Sequence, residues 1–378
     1  MGEGRAWAEV DLGAVAHNVG VLCEEAAPAE VLAVVKAGGY GHGAVPVAGA
    51  ALDAGATALG VAIAEEGAEL REAGIGAPIV VLSEPRPGEF GECAAFGLEP
   101  TVYTAGGIEA AARAASTHGH QLRVHLKVDT GMHRVGADPA DAVDLADAVA
   151  AEPSLALASV FTHCAVADEP DDPFTGEQLG RFQDVLRALA DHGHRPPLRH
   201  AANSAGALLH PTTRLDLVRC GIAVYGIAPA PGLEARSAAI SRLRPALSLK
   251  AAVSFVRDVA AGERVSYGLR HRFDRDTVVA TLPIGYADGV PRRLHELGTE
   301  VLVGGRRCPI VGVITMDQLV VDCGPDGEVP RPRLGDEVVL IGEQGGERVT
   351  AEDWAEKLGT IAYEIVCAIG PRVPRIYR

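Results

Sequence analysis

The sequence predicts an α/β protein: an N-terminal (β/α)8 TIM barrel followed by a mostly antiparallel β C-terminal domain. Three observations lead there. Between residue 31 and about residue 220, eight short apolar runs alternate with Ala-, Glu- and Leu-rich stretches of helical spacing. No Gly-x-Gly-x-x-Gly loop follows the first run, which disfavours the runner-up, an open doubly wound sheet. Near residue 240 the pattern changes to extended segments broken by Gly, Pro and Asp.

The elements follow in order. The opening stretch, "EGRAWAEVDL", reads as a strand over 1–10 whose natural partner is the C-terminal β domain. Eight parallel strands are then expected at 31–36, 58–63, 78–83, 100–104, 122–128, 157–163, 198–202 and 215–219. The helical stretches between them include "AVPVAGAALDAGA", "AEEGAELREAG" and "GEQLGRFQDVLRALADHG", and several end in Gly, a usual helix terminator. The barrel is assigned to 11–240 and the β domain to 241–378. The latter holds "TVVATLPIGYADGV", "TEVLVGGRRCPIVGVI", "DQLVVDCG" and "DEVVLIGE".

Composition narrows the function classes. Of 378 residues, 48 % are hydrophobic and 22 % charged, which suits a soluble protein with a large core. The formal charge, 34 − 50 = −16, argues against nucleic acid as a partner. Seven scattered cysteines without a Cys-x-x-Cys pair read as reduced thiols in a cytoplasmic protein. No signal peptide is evident, and no apolar run approaches the ~20 residues of a membrane helix. His118/His120 and His192/His194 sit beside Gly at helix ends, where histidine favours the negative end of the dipole, so no metal site is expected. Gly-x-Ser-x-Gly is absent, and serine or thiol hydrolysis is unsupported.

In a (β/α)8 barrel the chemistry sits at the C-terminal ends of the strands. Polar residues expected there are Lys36, Lys127, Asp129, Arg134, His163, His200, Asn203, Ser204 and Arg219, followed by Gly221. Most are basic or histidine, so the rim is cationic in an acidic protein. That suits an anionic ligand such as a phosphate or carboxylate. Lys36, in "AVVKAGGYGHGA", is either a strand-end lysine reaching solvent or a lysine in a dry pocket that forms a Schiff base. The glycines after it permit close approach of a flat ligand, and Tyr40 offers a hydroxyl donor near an anion. In the β domain, Tyr267 of "RVSYG" either packs its ring or serves chemistry. Met316 and Asp317 of "GVITMDQLVVD" read on spacing alone as a strand end with a turn aspartate.

Ten stretches in order, from "EVDLGAVAHNV", "AVVKAGGYGHG" and "HLKVDTGMHRVG" through "FTHCAVADEP", "HAANSAGAL", "LVRCGIAVYG", "RVSYG", "GYADGVPR" and "TMDQLVVD" to "TIAYEIVCAIGPRVPRIY", make nearly the whole chain resemble the alanine racemases. These are pyridoxal-phosphate enzymes of fold type III. The resemblance implies interconversion of L- and D-alanine, with D-alanine supplied for peptidoglycan, by a homodimer with shared active sites. It implies pyridoxal 5'-phosphate held by Lys36, with Lys36 and Tyr267 as two opposed bases, Tyr267 reaching the other subunit's site. Tyr40, Asn203, Ser204, Gly221, Ile222 and Tyr363 match cofactor-binding positions, most of them around the phosphate. Arg219 matches the residue facing the pyridine nitrogen, His163 the neighbour of the catalytic tyrosine, and His200 the support of Arg219. Arg134 matches the arginine at the cofactor's phenolic oxygen, and Met316 the backbone donor to the substrate carboxylate. Lys127 matches a lysine carbamylated in many members, Asp317 stands beside Met316, and Tyr286 with Tyr363 matches the narrow part of the entry corridor. An arginine has no acceptor, so a ring nitrogen facing it stays unprotonated.

The chain departs from that pattern at three places. Gly38-Gly39 stands where the family usually has Asn-Ala or Asp-Ala, Leu269-Arg270-His271 follows "SYG", and Val313 replaces a corridor arginine. A racemase of another small amino acid such as serine is the alternative. A decarboxylase of the same plan carries an acidic residue and a cysteine where Arg219 and Tyr267 stand, and a cofactor-carrier barrel lacks the second domain.

Overall fold

A single strand, β1 (Ala6–Val10), precedes the barrel and leads into the helix Leu12–Ala26. The computed structural model describes residues 4–327 and 331–378; residues 1–3 of the expected N-terminal strand and 328–330 of the expected β domain lie outside the described residues. The chain divides into two units, Gly13–Gly39 with Gly43–Pro245, and Met1–Leu12 with Tyr40–His42 and Ala246–Arg378.

The first unit is built on eight parallel strands: β2 (Glu30–Val34), β3 (Ala58–Val61), β4 (Ile79–Val81), β5 (Glu99–Val102), β6 (Leu122–Lys127), β7 (Leu155–Phe161), β8 (Leu198–His200) and β9 (Leu217–Cys220). Each pairs with the next from β2 to β8, and β9 pairs back onto β2, with Leu32 opposite Arg219. β8 and β9 form no ladder, yet two backbone bonds cross that seam, Asp216 N to Arg199 O and Arg219 N to Ala202 O, both 3.0 Å. The result is the expected TIM-like barrel, nearly closed. Most strands end short of the apolar run that announced them. The first stops at Val34 rather than at Lys36, because the chain turns left-handed after Lys36.

Side-chain alternation decides what the barrel encloses. On β6, Val124 and Leu126 join a core cluster with Ile108, Ala111, Phe182 and Val185. Arg123, His125 and Lys127 therefore share the opposite face. Register then aligns His125 with Ser159, Lys127 with Phe161, and Phe161 with His200. An apolar shell on the helix side thus leaves polar groups stacked strand to strand inside.

The second unit is a ten-stranded sheet. It comprises β1, β10 (Leu247–Ala252), β11 (Phe255–Val259), β14 (Thr277–Leu282), β15 (Glu300–Val303), β16 (Arg306–Val311), β17 (Leu319–Asp322), β18 (Glu337–Gln344), β19 (Glu347–Val349) and β20 (Arg375–Tyr377). All neighbours are antiparallel except β1 with β20. β1 lies between β10 and β20, with Val10 opposite Leu247 and Ala8 opposite Arg375. A small separate ladder, β12 (Arg264–Val265) with β13 (His271–Arg272), frames the turn that carries Tyr267.

Candidate active site

In the barrel unit the polar residues expected at strand ends do sit at one end of the sheet. Lys36 follows β2 directly and starts an unusual turn. Ala37, Gly38 and Gly39 have φ/ψ near 54/48°, 60/41° and 63/47°, and Tyr40 has φ 51°. Four successive left-handed residues cost an L-residue roughly 1–2 kcal/mol each, a cost glycine escapes. Gly38 and Gly39, a departure from the family pattern, therefore relieve strain at half of this turn. Two further ties hold it: Gly39 N donates to Val35 O at 2.8 Å, and Ala37 N donates to Glu66 at 2.6 Å. The other Glu66 oxygen accepts from Ala62 N at 2.8 Å, so one carboxylate straps the Lys36 turn to the end of β3.

Arg219 is the best-held cation of the set. Its Nη1 donates to His200 Nδ1 at 2.9 Å, and its Nη2 to Thr162 O at 2.7 Å, Ala201 O at 3.0 Å and His163 Nδ1 at 3.1 Å. The guanidinium also lies 5.1 Å from the Phe161 ring centroid. Burial pushes it down to about 10, so it remains charged at neutral pH. Burial first, then Arg219 beside it, holds both His163 and His200 well below the ordinary histidine value. Lys127 is buried at the end of β6, its Nζ 5.5 Å from the Phe161 centroid. Burial, then Arg219, Arg134 and Lys36, bring it down to about 8. Arg134 is exposed on the loop after β6, which Asp129 shapes by accepting from Gly131 N and His133 N.

The anion-binding candidates form a second cluster in this unit. Asn203 caps the turn Ser204–Leu209, its Oδ1 accepting from Gly206 N at 2.9 Å. Ser204 Oγ accepts from Gly221 N at 2.9 Å, and Ile222 next to it is buried.

The β unit carries the remaining candidates. Tyr267, Met316 and Tyr286 are 73 %, 51 % and 43 % exposed, unusual for large apolar side chains. Tyr267 and Val313 line one open groove of about 550 Å³ with Ser266, Thr281, Thr315 and Gln318. Ser266 Oγ donates to Val313 O at 2.6 Å and fixes the turn. Backbone bonds from Tyr286 N to Thr315 O and from Ala287 N to Met316 O place Met316. A Cβ at Gly285 would come 2.2 Å from Thr315 O, so only glycine lets that loop cross. Arg372 pairs with Asp317 at 2.7 Å. Tyr40 and Tyr363 face each other with ring centroids 6.2 Å apart. The helix-end histidines His118 and His192 turn back onto the carbonyls of Ala114 and Ala188.

Comparison with known proteins decides the family. The family model described as the alanine racemase N-terminal domain matches residues 10–229, and that of the alanine racemase C-terminal domain matches 246–377. The alanine racemase of Symbiobacterium thermophilum is 50 % identical over 371 residues, covering 98 % of this chain and 96 % of its own. The chain belongs to the alanine racemase family. It is thereby an isomerase. The alanine racemase of Thermobifida fusca is 46 % identical, covering 98 % of both chains. The crystal structure of alanine racemase from the D-cycloserine producing Streptomyces lavendulae superposes with a TM-score of 0.92 at 42 % identity, over 100 % of this chain and 98 % of that one.

Against the racemase pattern, sequence reasoning missed a group of residues behind Arg219. His200 Nε2 lies 2.8 Å from Ser159 Oγ, which lies 2.6 Å from His125 Nδ1. His125 Nε2 lies 2.9 Å from Glu99, whose other oxygen accepts from Arg123 Nε at 2.8 Å. A signal existed: "LRVHLKV" puts Arg, His and Lys on one face of a strand otherwise typical of a barrel core. Glu66 was also missed, because an acidic residue in the first turn of a helix ordinarily serves the helix dipole.

Proposed function

We propose that the chain interconverts L- and D-alanine with pyridoxal 5'-phosphate, using Lys36 and Tyr267 as opposed bases. The observation that carries this reading is Arg219, a buried guanidinium gripped by four acceptors at the end of the barrel where Lys36, Lys127 and His163 also lie. The residues present fit the cofactor. Lys36 supplies an amine at a strand end, the Ser204 hydroxyl, held by the Gly221 N–H, and the Ile222 backbone supply donors for a phosphate, and Asn203 orders that turn. Tyr40 and Tyr363, at positions that match cofactor-binding ones, offer phenolic hydroxyls. When bound, the cofactor withdraws electrons from the substrate Cα and makes its proton removable.

The chain's own residues do the rest. Lys36 takes or returns the Cα proton on one face, and Tyr267 serves the other. Arg219 keeps its own proton and offers no acceptor, so a ring nitrogen held against it would stay unprotonated. Arg134 orients the cofactor's phenolic oxygen, Met316 the substrate carboxylate through its backbone, and Asp317 holds the Met316 turn through Arg372. His163 neighbours Tyr267, and Tyr286 narrows the approach. Lys127, brought toward neutrality by burial and its cationic neighbours, stands where many members of the family carry a carbamylated lysine.

Tyr267, Met316 and Tyr286 are exposed in the single chain, which supports a homodimer in which each β unit completes the other subunit's site. The relatives favour alanine over serine as substrate. No helix among the described residues is long and apolar enough to cross a membrane. The family reading makes it a cytoplasmic enzyme supplying D-alanine for peptidoglycan.

The test is direct. The purified chain should absorb near the visible edge through its Lys36-bound cofactor and should remove the optical rotation of L-alanine. Full activity in Lys36→Ala would sink the mechanism.

A further inference from the structure

We propose that Glu99, His125 and Ser159 form a positioning relay that fixes the tautomer of His200 and thereby the orientation of Arg219. The relay rests on the reading of Arg219 as the residue that faces the cofactor. None of the three residues touches substrate or cofactor, and all act through His200.

Hydrogen-bond logic sets the first two links, and the relay assigns the others. Arginine has donors only, so Arg219 Nη1 donates to His200 Nδ1 at 2.9 Å, and that nitrogen carries no proton. Burial and the guanidinium keep His200 neutral. Its one proton therefore sits on Nε2 and is donated to Ser159 Oγ at 2.8 Å. Ser159 is fully buried and has a single proton to give. Its hydroxyl sits 2.6 Å from His125 Nδ1, and in the proposed relay it donates there, which requires a His125 with a single ring proton. The His125 proton is then on Nε2, donated to Glu99 Oε2 at 2.9 Å. Glu99 is an acceptor on both oxygens, since Arg123 Nε donates to Oε1 at 2.8 Å.

Four links thus run one way, from the guanidinium to a carboxylate, through five adjacent strands. Aligned hydrogen bonds polarise one another, and a low dielectric strengthens the effect. Glu99 ends the chain as a carboxylate. Burial pushes it up, but the His125 bond and Arg123 outweigh that and hold it below its ordinary value. Without the relay, only the Arg219 contact opposes a proton on His200 Nδ1. An N–H would then face the Arg219 N–H across 2.9 Å, and the guanidinium would lose that anchor.

The experiment uses the full-length chain as purified, labelled with ¹⁵N on histidine, with His200 assigned by the signal lost in His200→Gln. Proton-detected nitrogen correlation reads which ring nitrogen is protonated, whether or not the enzyme turns over. The unchanged chain should show His200 purely as the Nε2–H tautomer. Ser159→Ala, which removes the oxygen and little volume, should give a mixture of tautomers. With alanine, its kcat should fall by about 10-fold and KM should stay within about twofold, the size expected for one hydrogen bond acting only through orientation. Glu99→Gln keeps the shape and removes the charge, and should shift His200 in the same direction by less. An Nδ1–H tautomer in the unchanged chain overturns the relay. So does a His200 tautomer that neither variant moves, or a moved tautomer with unchanged kcat. Failure of the unchanged chain to racemise alanine strikes the functional reading instead, and leaves the tautomer result to decide the relay by itself.

Discussion

Arg219 and His200 meet through one 2.9 Å hydrogen bond, and both lean on the same ring: His200 stacks on Phe161 at 4.7 Å and the guanidinium sits 5.1 Å from its centroid. An aromatic face thus sets the height of both groups while the hydrogen bonds set their direction. Arginine is needed for that geometry because its planar fork serves several acceptors at once.

Arg219→Lys should therefore be poorly tolerated. One ammonium cannot satisfy Thr162 O, Ala201 O, His163 Nδ1 and His200 Nδ1 together. Buried acceptors left unmet cost about 1–3 kcal/mol each, so an overall loss of about 2–4 kcal/mol is expected. Urea denaturation checks it; a variant within 1 kcal/mol of the parent, roughly the worth of a single bond, would contradict the account.

Lys127 should make stability rise with pH on the alkaline side. In the folded chain it loses its proton at about 8, whereas an unfolded lysine holds it to about 10.4. Between these values the unfolded state binds more protons, so stability increases as pH rises. The charged lysine's burial penalty is fully present below about 8 and relieved by about 10.4. Lys127→Met should remove that rise, as read by denaturant midpoints across the window.

Much of the candidate site was legible because it breaks a pattern. Lys36, His163 and Arg219 end apolar runs, where a charged or imidazole side chain stands out. The relay behind Arg219 was not legible, since Ser159 hides inside "LASVFTH" and His125 meets it across 34 residues of sequence. Only strand order brings them together. The left-handed turn was half legible: Gly38 and Gly39 permit it, but Ala37 and Tyr40 give no sign of positive φ. The β domain was readable as extended segments, while its strand order, with β1 between β10 and β20, depends on pairings no local pattern encodes.

That turn makes its own prediction. A Cβ at Gly38 meets nothing within 4 Å, so Gly38→Ala should cost only the left-handed conformation, about 1 kcal/mol. Gly38→Asn should be closer to neutral, because asparagine tolerates that region. Equal losses in both variants, measured by thermal unfolding, would mean that side-chain packing rather than φ governs the position.

Acid should weaken the β unit through Asp288. Burial pushes its carboxyl up, but the Arg5 bond, the Gly285 N–H and Arg372 more than offset this and hold it below the ordinary value. Arg5 donates to both carboxylate oxygens, at 2.5 and 3.1 Å. A depressed carboxylate stabilises fully above its unfolded value near 3.9 and loses that contribution as pH falls through the folded value. Stability should thus hold flat down to about pH 4 and drop below it. Asp288→Asn should lower the plateau and flatten the drop in acid denaturation curves.

Two opposed bases leave a signature that rates alone do not. L- and D-alanine have equal free energy, so any variant must change kcat/KM by the same factor in both directions. Tyr267→Phe should nevertheless separate the two half-reactions. With only Lys36 left, a proton can still be removed and returned on one face. Racemisation should fall by at least about 100-fold, the usual worth of a positioned acid/base. One enantiomer should still exchange its α-hydrogen with heavy water, detectable by NMR of the recovered amino acid, while the other should not. Loss of exchange in both enantiomers alongside racemisation would place Tyr267 in cofactor or substrate binding, and racemisation at the parent rate would remove it from the reaction.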